Sequence, residues 1–348
     1  MQVAVAFCGE QAVSVSLNGN INVLDSGSER PRAVYQAHQG AITAMTRLPV
    51  AVPGGGSDKI MTGSFTGVVC AWDPATGGAK RCAGGKAAPV TGACHSNKIS
   101  GITACSAGLV SVGWDDTLRL APASGDGEGG VPVFTEAVET TGQPCGVAAT
   151  VESDLVAVAT NQGVMLLRGV APVFGLPASY TPTSIDMAPG AGEIAVGSSE
   201  GKIYIYGTAG DQLTETKVID GHRGEVTSVA YSPDGKFLGA GDTAREVMVW
   251  RTGGDWDAEV QGLWQFHTAR VACLAWSPSG TYLASGGLDE NVFVWNPSKP
   301  RRRVHYKFAN KDGVEGLAWL SDGVVASAGG DHCVATWDVT KDVGVFET

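Results

Sequence analysis

The sequence predicts an all-β fold, a seven-bladed β-propeller, and three observations lead to it. Short runs rich in β-branched and aromatic residues fill the 348-residue chain, and no stretch shows helical periodicity. The runs come in groups of three, separated by turn residues. The groups recur every 39 to 48 residues, a spacing typical of propeller blades with four strands each. The third runs of successive groups end near Asp25, Asp73, Ala121, Leu167, Tyr206, Trp250, Trp295 and Trp337.

The clearest unit is residues 271–296, VACLAWSPSGTYLASGGLDENVFVWN. Ser-Pro-Ser-Gly at 277–280 is a turn sequence, because proline presets φ and glycine accepts positive φ. Leu-Asp-Glu-Asn at 288–291 makes the second turn. A three-stranded meander of this size cannot bury both of its faces, so it needs neighbouring sheets of its own kind. We name the strands of one unit a, b, c and d; strand d is polar and forms the outer edge, as in residues 212–219.

One repeat carries the four residues that mark WD40 repeats. In such repeats a His before strand a, a Ser or Thr in strand b, an Asp in the b–c turn and a Trp in strand c form a hydrogen-bonded relay. The matching residues are His267, Ser285, Asp289 and Trp295. Because the relay satisfies polar atoms that blade packing buries, we expect this blade to be the most rigid.

The other repeats carry partial relays or none. In the partial relays, His95, Ser111 and Asp115 have Ala121 in place of the Trp; Ser327, Asp331 and Trp337 have Asn310 in place of the His; His38, Thr62 and Trp72 have Thr66 in place of the Asp; and His222 and Trp250 have Ala244 in that place. The middle repeats, residues 145–167 and 182–206, keep only the strand pattern and the turns.

Composition and motifs argue against an enzyme, a metal protein and a nucleic-acid-binding protein. A net charge of -11 opposes binding by phosphate neutralisation. Four of the six histidines occupy the same repeat position, no two have metal-ligand spacing, and no G-x-S-x-G or phosphate-binding loop occurs. We therefore expect no catalytic residue, no cofactor and no metal. The eight cysteines form no C-x-x-C pair and mostly lie in apolar runs, so we interpret them as buried thiols.

The one dense basic cluster is Lys299, Arg301, Arg302 and Arg303. Two interpretations stay open: a solvated turn, which we favour, and a local docking patch. The N-terminus lacks signal-peptide character, and no apolar run reaches transmembrane length. We expect a cytoplasmic protein that does not bind membranes.

The eight groups leave the blade count open between seven and eight. Seven blades would run over residues 41–338, with residues 32–36 as strand d of the last blade, closing the ring and removing free strand edges. Residues 1–25 would then be a surplus strand triplet from a preceding propeller, and residues 26–348 the propeller itself. The alternative has eight blades, with residues 343–346 as the last outer strand. We favour seven.

The chain resembles the actin-interacting protein 1 family, WD40 proteins that assist cofilin in disassembling actin filaments. The family has fourteen repeats folded as two seven-bladed propellers, and this chain looks like the second, preceded by the last strand triplet of the first. The resemblance implies a monomeric, cytoskeleton-associated scaffold that binds actin and cofilin. The first propeller, to which much of that contact is attributed in the family, has no counterpart here; a general WD40 adaptor for another protein is the second hypothesis. The segments that carry the resemblance, in the family's order, are AVSVSLNGNINVLD (12–25), VGWDDTLRL (112–120), VTSVAYSPDGKFLGAGD (226–242), VACLAWSPSGTYLASGGLDENVFVW (271–295) and VEGLAWL (314–320).

WD40 rings bind partners through the face that carries the d–a and b–c connections, so the candidate binding residues lie there. Phe65 and Trp114 fall in b–c turns, where the repeat requires no core aromatic, and exposed aromatics are typical of binding hot spots. For Trp114 a binding role and a core role are equally supported. For each charged candidate, simple solvation is the favoured alternative. The other candidates on this face are Asn97, Lys98, Asp116, Glu200, Arg223, Glu225, Arg245, Arg270 and His332.

Overall fold

The computed structural model describes residues 2–8, 11–16, 20–24, 31–36, 42–48, 59–72, 79–84, 94–122, 131–309, 313–329, 334–342 and 344–347. These residues form eight antiparallel sheets, which we number blade 1 to blade 8 in chain order. The strands of each blade pair in sequence order, from a to d.

The first four blades are built as follows. Blade 1 contains β1 (Gln2–Cys8), β2 (Gln11–Ser16), β3 (Asn20–Leu24) and β4 (Pro31–Gln36). Blade 2 contains β5 (Ile42–Leu48), β6 (Lys59–Ser64), β7 (Val69–Trp72) and β8 (Ala79–Arg81), and is followed by β9 (Ala83–Gly84). Blade 3 contains β10 (Ile99–Cys105), β11 (Gly108–Gly113), β12 (Thr117–Pro122) and β14 (Glu136–Glu139), while β13 (Val133–Phe134) pairs in parallel with β9. Blade 4 contains β15 (Pro144–Ala149), β16 (Leu155–Thr160), β17 (Gly163–Arg168) and β18 (Ala171–Pro177).

The last four blades continue the pattern. Blade 5 contains β19 (Pro182–Met187), β20 (Glu193–Ser198), β21 (Lys202–Gly207) and β22 (Thr214–Asp220). Blade 6 contains β23 (Val226–Tyr231), β24 (Phe237–Asp242), β25 (Val247–Arg251) and β26 (Ala258–Trp264). Blade 7 contains β27 (Val271–Trp276), β28 (Leu283–Gly287), β29 (Val292–Trp295) and β30 (Arg303–Tyr306). Blade 8 contains β31 (Val314–Ser321), β32 (Val324–Gly329) and β33 (Val334–Asp338). Helical turns are the 3-10 segments Ala209–Asp211 and Val339–Lys341 and helix α1 (Gly344–Glu347).

The a strands line the centre of a closed ring. Each a strand packs against the a strand of the next blade, and β31 of blade 8 packs against β1 of blade 1. The predicted all-β propeller is confirmed. Within the described residues the ring has eight blades, seven of four strands and one of three, so the blade count follows the alternative rather than the favoured seven.

All eight a strands share one irregularity near their start. In blade 7 the pairing register shifts between Val271 and Cys273, and a shift occurs at the matching place in each other blade. Such β-bulges strengthen the local twist of a strand, and here they occur in the strands that line the ring centre. Because blade 1 has the same bulge, between Gln2 and Ala4, it is built like the other blades.

Blade 1 differs from the sequence-based expectation in its fourth strand. Strand β4 pairs with β3, from Asn20 opposite Gln36 to Leu24 opposite Pro31, so residues 1–25 are not a surplus triplet and residues 32–36 do not complete blade 8. A short connection joins β3 to β4, and closing it costs less chain entropy than pairing β4 with the far end of the chain.

The C-terminal segment also differs from expectation. The eight-blade alternative predicts that residues 343–346 form the last outer strand, but residues 344–347 form helix α1. Phe346 of this helix is buried, and its ring centroid lies 5.6 Å from that of Tyr282. Burial of this aromatic side chain against blade 7 favours the helical turn over a polar edge strand.

Burial follows strand position within each blade. The b strands β11, β16 and β28 are buried at every residue, whereas the d strand β22 is exposed over most of its length. Central strands covered on both sides therefore carry continuous apolar runs. Neighbouring blades approach closely at glycines: a Cβ at Gly241 would lie 2.6 Å from Cγ1 of Val271.

The cysteines agree with the sequence prediction in part. Cys70, Cys82, Cys94 and Cys105 are buried, and burial raises the pKa of Cys70 to about 12. Cys145 departs from the expectation because it is exposed. It lies on the inner strand β15, among the residues that line the central channel. The side chains of Cys8 and Cys333 lie outside the described residues.

Candidate protein-interaction face

The four relay residues of blade 7 form one hydrogen-bonded chain. Trp295 Nε1 lies 2.9 Å from Ser285 Oγ, Ser285 Oγ lies 2.9 Å from His267 Nε2, and His267 Nδ1 lies 3.0 Å from Asp289 Oδ1. An indole N–H only donates and a carboxylate only accepts, so the donors run in one direction from Trp295 to Asp289. Burial alone would raise the pKa of Asp289, but the hydrogen bonds from His267 and from the backbone N–H of Thr268 outweigh it and hold that pKa at about 2.

Blade 3 keeps the relay without its tryptophan. His95 Nε2 lies 2.9 Å from Ser111 Oγ, and His95 Nδ1 lies 2.8 Å from Asp115 Oδ1. Arg119 Nη2 lies 3.5 Å from Asp115 and Thr117 donates a hydrogen bond to the same carboxylate. Burial opposes ionisation, but the hydrogen bonds from His95, the Ser96 N–H and Thr117 lower the pKa of Asp115 well below its usual range.

Blade 6 contains an acidic partner that the sequence reasoning missed. His222 Nδ1 pairs at 2.9 Å with Asp242 Oδ2, and both side chains are buried. The WD40 pattern places the acidic residue in the b–c turn, where this blade has Ala244. Asp242 instead ends strand β24, and its other oxygen accepts the backbone N–H of Glu246 at 2.8 Å. Although burial opposes ionisation, the hydrogen bond from His222 lowers the pKa of Asp242.

The last residue of strand b explains this exchange. Blades 3 and 7 have Gly113 and Gly287 there, opposite the first residue of strand a, and an added Cβ would crowd the relay histidine. Blades 2, 4, 5 and 6 instead have a polar side chain at this position that closes the b–c turn by hydrogen bonding to its backbone. These side chains are Ser64, Thr160, Ser198 and Asp242. Glycine at this position thus accompanies the His–Asp pair across the turn, and a short polar residue replaces it.

The remaining relay predictions fall partly outside the described residues. In blade 8, Trp337 Nε1 donates to Ser327 Oγ at 3.0 Å. Positions that lie outside the described residues are His38, Asn310, Asp331 and the candidate His332, and the side chains of Thr62 and Trp72 are likewise not described.

Five of the predicted binding residues lie together on blades 2 and 3. We call this set the aromatic patch: Phe65, Asn97, Lys98, Trp114 and Asp116. The exposed fractions of Phe65 and Trp114 are 54% and 39%. Lys98 Nζ lies 4.5 Å from the ring centroid of Trp114, and the backbone N–H of Trp114 donates to the Lys98 carbonyl at 2.7 Å. Trp114 is therefore a surface residue with one face covered by a cation, and not part of the core.

A close backbone contact joins the two turns of the aromatic patch. Gly67 follows Phe65 in its turn at a φ of 78°, and any Cβ there would overlap the carbonyl oxygen of His95. The His95 N–H in turn donates to the Gly67 carbonyl at 2.7 Å. The turn that carries Phe65 is thereby fixed against the loop that carries Asn97.

The charged candidates form a second group on blades 5 to 7. Gly201, beside Glu200, packs against the carbonyl oxygens of His222 and Gly224, so the Glu200 turn adjoins the next d–a loop as in the aromatic patch. The b–c turn of blade 6 adjoins the same loop, since Thr243 N–H donates to the Glu225 carbonyl at 2.9 Å. The exposed charged members of this group are Glu200, Arg223, Glu225, Arg245 and Arg270, and none forms an ion pair with another described residue.

The sequence reasoning missed two exposed apolar residues on the same face. Leu288, in the b–c turn of blade 7, is 37% exposed, and Phe308, in the d–a connection to blade 8, is 77% exposed. The Ala309 N–H donates to the Glu290 carbonyl at 2.7 Å, which fixes Phe308 beside that turn. Phe308 could have been identified from the sequence, because a WD40 repeat requires no aromatic residue in a d–a loop.

The described ranges contain neither a metal-binding cluster nor a membrane-spanning helix. No group of three or more His, Cys, Asp or Glu side chains in these residues is arranged to hold a metal ion. None of their helices has the length and apolar character needed to cross a bilayer.

Comparisons with known proteins identify the repeats. The family model described as "WD domain, G-beta repeat" matches residues 213–251 and 259–296. Each match runs from strand d of one blade through strands a to c of the next, so the two contain strands a to c of blades 6 and 7. Actin-interacting protein 1 of Drosophila melanogaster is 32% identical over 343 residues, covering 97% of this chain and 52% of that protein. The 66 kDa stress protein of Physarum polycephalum is 31% identical over 333 residues, covering 95% of this chain and 52% of the relative. The chain spans about half the length of the relatives it matches.

Solved structures support the fold alone. Sqt1 of Chaetomium thermophilum, solved bound to the N-terminus of ribosomal protein L10, superposes with a TM-score of 0.79 at 18% identity, covering 97% of this chain and 96% of that one. The computationally designed Ika8 protein superposes with a TM-score of 0.77, also at 18% identity and with the same coverage of both chains.

Proposed function

This chain is a WD40 repeat protein homologous to the actin-interacting protein 1 proteins over nearly its whole length, and from that premise we propose that it binds actin filaments and assists cofilin in their disassembly. The homology and the WD40 repeats together support a protein-interaction scaffold as the general role of the chain. The names of its relatives are the observation that points to actin.

The aromatic patch is the proposed contact surface. It joins two exposed aromatic rings to a lysine and an acidic residue on turns held rigidly by backbone contacts. Large aromatics on a preorganised surface lose little conformational entropy on binding and are typical of hot spots. The ring of charged side chains on blades 5 to 7 would add orientation and association rate rather than most of the affinity.

The proposed scaffold acts without catalysis, as a cytoplasmic protein associated with the actin cytoskeleton. The relay residues are buried inside the fold. The low pKa values of Asp289 and Asp115 arise because each carboxylate pairs with a buried histidine, His267 and His95 respectively. In blades 3, 6 and 7 a carboxylate paired with a buried histidine stabilises the fold and is not available to substrate.

Co-sedimentation tests the proposal. The purified chain is mixed with bare filaments and with cofilin-decorated filaments, and the pelleted fraction and the filament disassembly rate are measured. We expect pelleting that increases with cofilin decoration and faster disassembly. If the chain neither pellets nor changes the disassembly rate while it is folded, the actin proposal fails, and a general adaptor for another protein remains.

A further inference from the structure

A basic cleft lies on the outer rim between blades 6 and 7, away from the central channel. Its volume is about 360 Å³, within the range of roughly 300–1,000 Å³ common for ligand sites. Its apolar walls come from Leu263, Phe266 and Trp295, and its basic wall from the loop of residues 300–303. We call this feature the rim cleft.

The apolar side of the rim cleft belongs to an extended aromatic cluster. Trp264 of blade 6 stacks on Trp295 of blade 7 with centroids 4.7 Å apart, and Phe266 lies 6.1 Å from Trp295. Phe266 and Leu263 are nevertheless 42% and 45% exposed. The core of the relay blade thus continues outward to an apolar surface that solvent reaches, a feature typical of interaction sites.

The basic loop is held in a fixed position. Trp264 Nε1 donates to the Pro300 carbonyl at 2.8 Å, across the blade boundary. Inside the loop, Lys299 N–H donates to the Asn296 carbonyl and Arg302 N–H to the Lys299 carbonyl, each at 2.9 Å. This loop presents its cations on a preformed backbone, so a ligand need not order it.

The cations of the loop form no ion pair within the part of the chain that the structure describes. No carboxylate there forms an ion pair with Lys299, Arg301, Arg302 or Arg303, whereas Arg168, Arg251 and Lys236 elsewhere each pair with one. The Arg303 guanidinium lies 3.5 Å above the Phe266 ring centroid. Four cations that pair with no described carboxylate, on a chain of net charge -11, give the rim cleft a local charge opposite in sign to that of the whole molecule.

We propose that the rim cleft binds an acidic peptide segment of a partner protein, with one large apolar side chain of that segment against Leu263 and Phe266. The carboxylates that flank this side chain pair with Arg301 and Arg302, whose guanidinium groups accept carboxylates in a bidentate geometry. The apolar contact supplies the affinity and the charges supply the selection for an acidic sequence. This site is separate from the aromatic patch and does not depend on the actin proposal.

A peptide fits these observations better than the other occupants of a basic surface. An anionic membrane would meet four cations on a chain that otherwise repels it, and a concave cleft suits a single side chain better than a flat lipid surface. A second copy of the chain would have to bury roughly 1,200 Å² to form a stable interface, whereas a cleft of about 360 Å³ accommodates a single protruding side chain.

Selection from a random peptide library tests the proposal. Peptides of about twelve residues are selected on the full chain, and their affinities are measured by fluorescence anisotropy. We expect the enriched sequences to combine several Asp or Glu with one Leu, Phe or Trp. Replacement of their acidic residues by the amides should weaken binding about tenfold, and raised salt should do the same.

Two variants and one control locate the site. The double variant Arg301→Gln, Arg302→Gln should lower peptide affinity about tenfold, as two lost ion pairs predict, and Leu263→Ser should lower it by a similar factor. The double variant Lys80→Gln, Lys217→Gln removes the same charge from exposed outer strands and should leave the affinity unchanged. Circular dichroism verifies that each variant is folded.

Four results would overturn the proposal. The first is enrichment of peptides without acidic residues, and the second is no enrichment over the Arg301→Gln, Arg302→Gln variant. The third is binding to phosphatidylserine vesicles that this variant loses while peptides do not bind, which would make the rim cleft a lipid site. The fourth is a dimer in analytical ultracentrifugation that the same variant abolishes, which would assign it to a second copy of the chain.

Discussion

Replacement of Ser285 by alanine tests the relay of blade 7 most simply. The Ser285 hydroxyl is fully buried and joins two groups, since it accepts from Trp295 Nε1 and donates to His267 Nε2, both at 2.9 Å. Ser285→Ala leaves both ring nitrogens buried without a partner. A buried polar group that loses its partner costs about 1–3 kcal/mol, so we expect a loss of about 3 kcal/mol in the free energy of unfolding.

Blade 3 provides a matched control for this experiment. Ser111 holds the same position, is equally buried and bonds to His95 Nε2 at 2.9 Å, but Ala121 replaces the tryptophan. Ser111→Ala therefore leaves one nitrogen unpaired and should cost about half as much, roughly 1.5 kcal/mol. Urea unfolding followed by circular dichroism measures both, with Ser106→Ala on the surface as the neutral reference. If Ser285→Ala costs no more than Ser111→Ala, the tryptophan does not belong to the relay as described.

Three further predictions follow from the structure. Asp242→Ala should lower the free energy of unfolding by about 3 kcal/mol, and Asp242→Ser by less, because serine still closes the turn and loses only the bond to His222; equal losses in urea unfolding would contradict this. The pKa of Asp289 is about 2 against an ordinary 3.8. Ionised Asp289 should therefore stabilise the fold by about 2 kcal/mol above about pH 4, and this stabilisation should disappear as the pH falls towards about 2. Asp289→Asn should remove that pH dependence in urea titrations. Trp114→Ala should weaken filament binding about tenfold while lowering the free energy of unfolding by at most about 1 kcal/mol, whereas the control Val151→Ala at the opposite end should leave binding unchanged; a large loss of stability would make Trp114 a core residue.

The fold was predictable from the sequence because its signals repeat. Turn residues and strand runs recur with one period, and buried b strands read as apolar runs wherever two blades cover them. The number of blades was less accessible. The pairing of strand β4 with β3 and the place of β1 in the ring distinguish eight blades from seven, and the residues of an edge strand carry little information about which neighbour they join.

The interaction face was predictable where it depends on turn position. The b–c turns placed Phe65 and Trp114 on the surface, and the structure brings the lysine beside Trp114. Asp242 was missed because a motif fixes residue spacing, whereas a buried histidine requires only that a carboxylate reach it. From the sequence, the basic loop of the rim cleft could be interpreted as a solvated turn or as a docking patch, because the apolar wall that completes the cleft comes from Leu263 and Phe266 of another blade.

The aromatic patch is the surface that we propose contacts actin filaments. Hydrogen exchange of the chain, free and bound to cofilin-decorated filaments, tests it most directly because it reports each turn separately. The proposal predicts slower exchange on binding in residues 64–68, 94–98 and 113–117, with blade 4 unchanged. Slower exchange confined to other blades, with these turns exchanging as in the free chain, would contradict it.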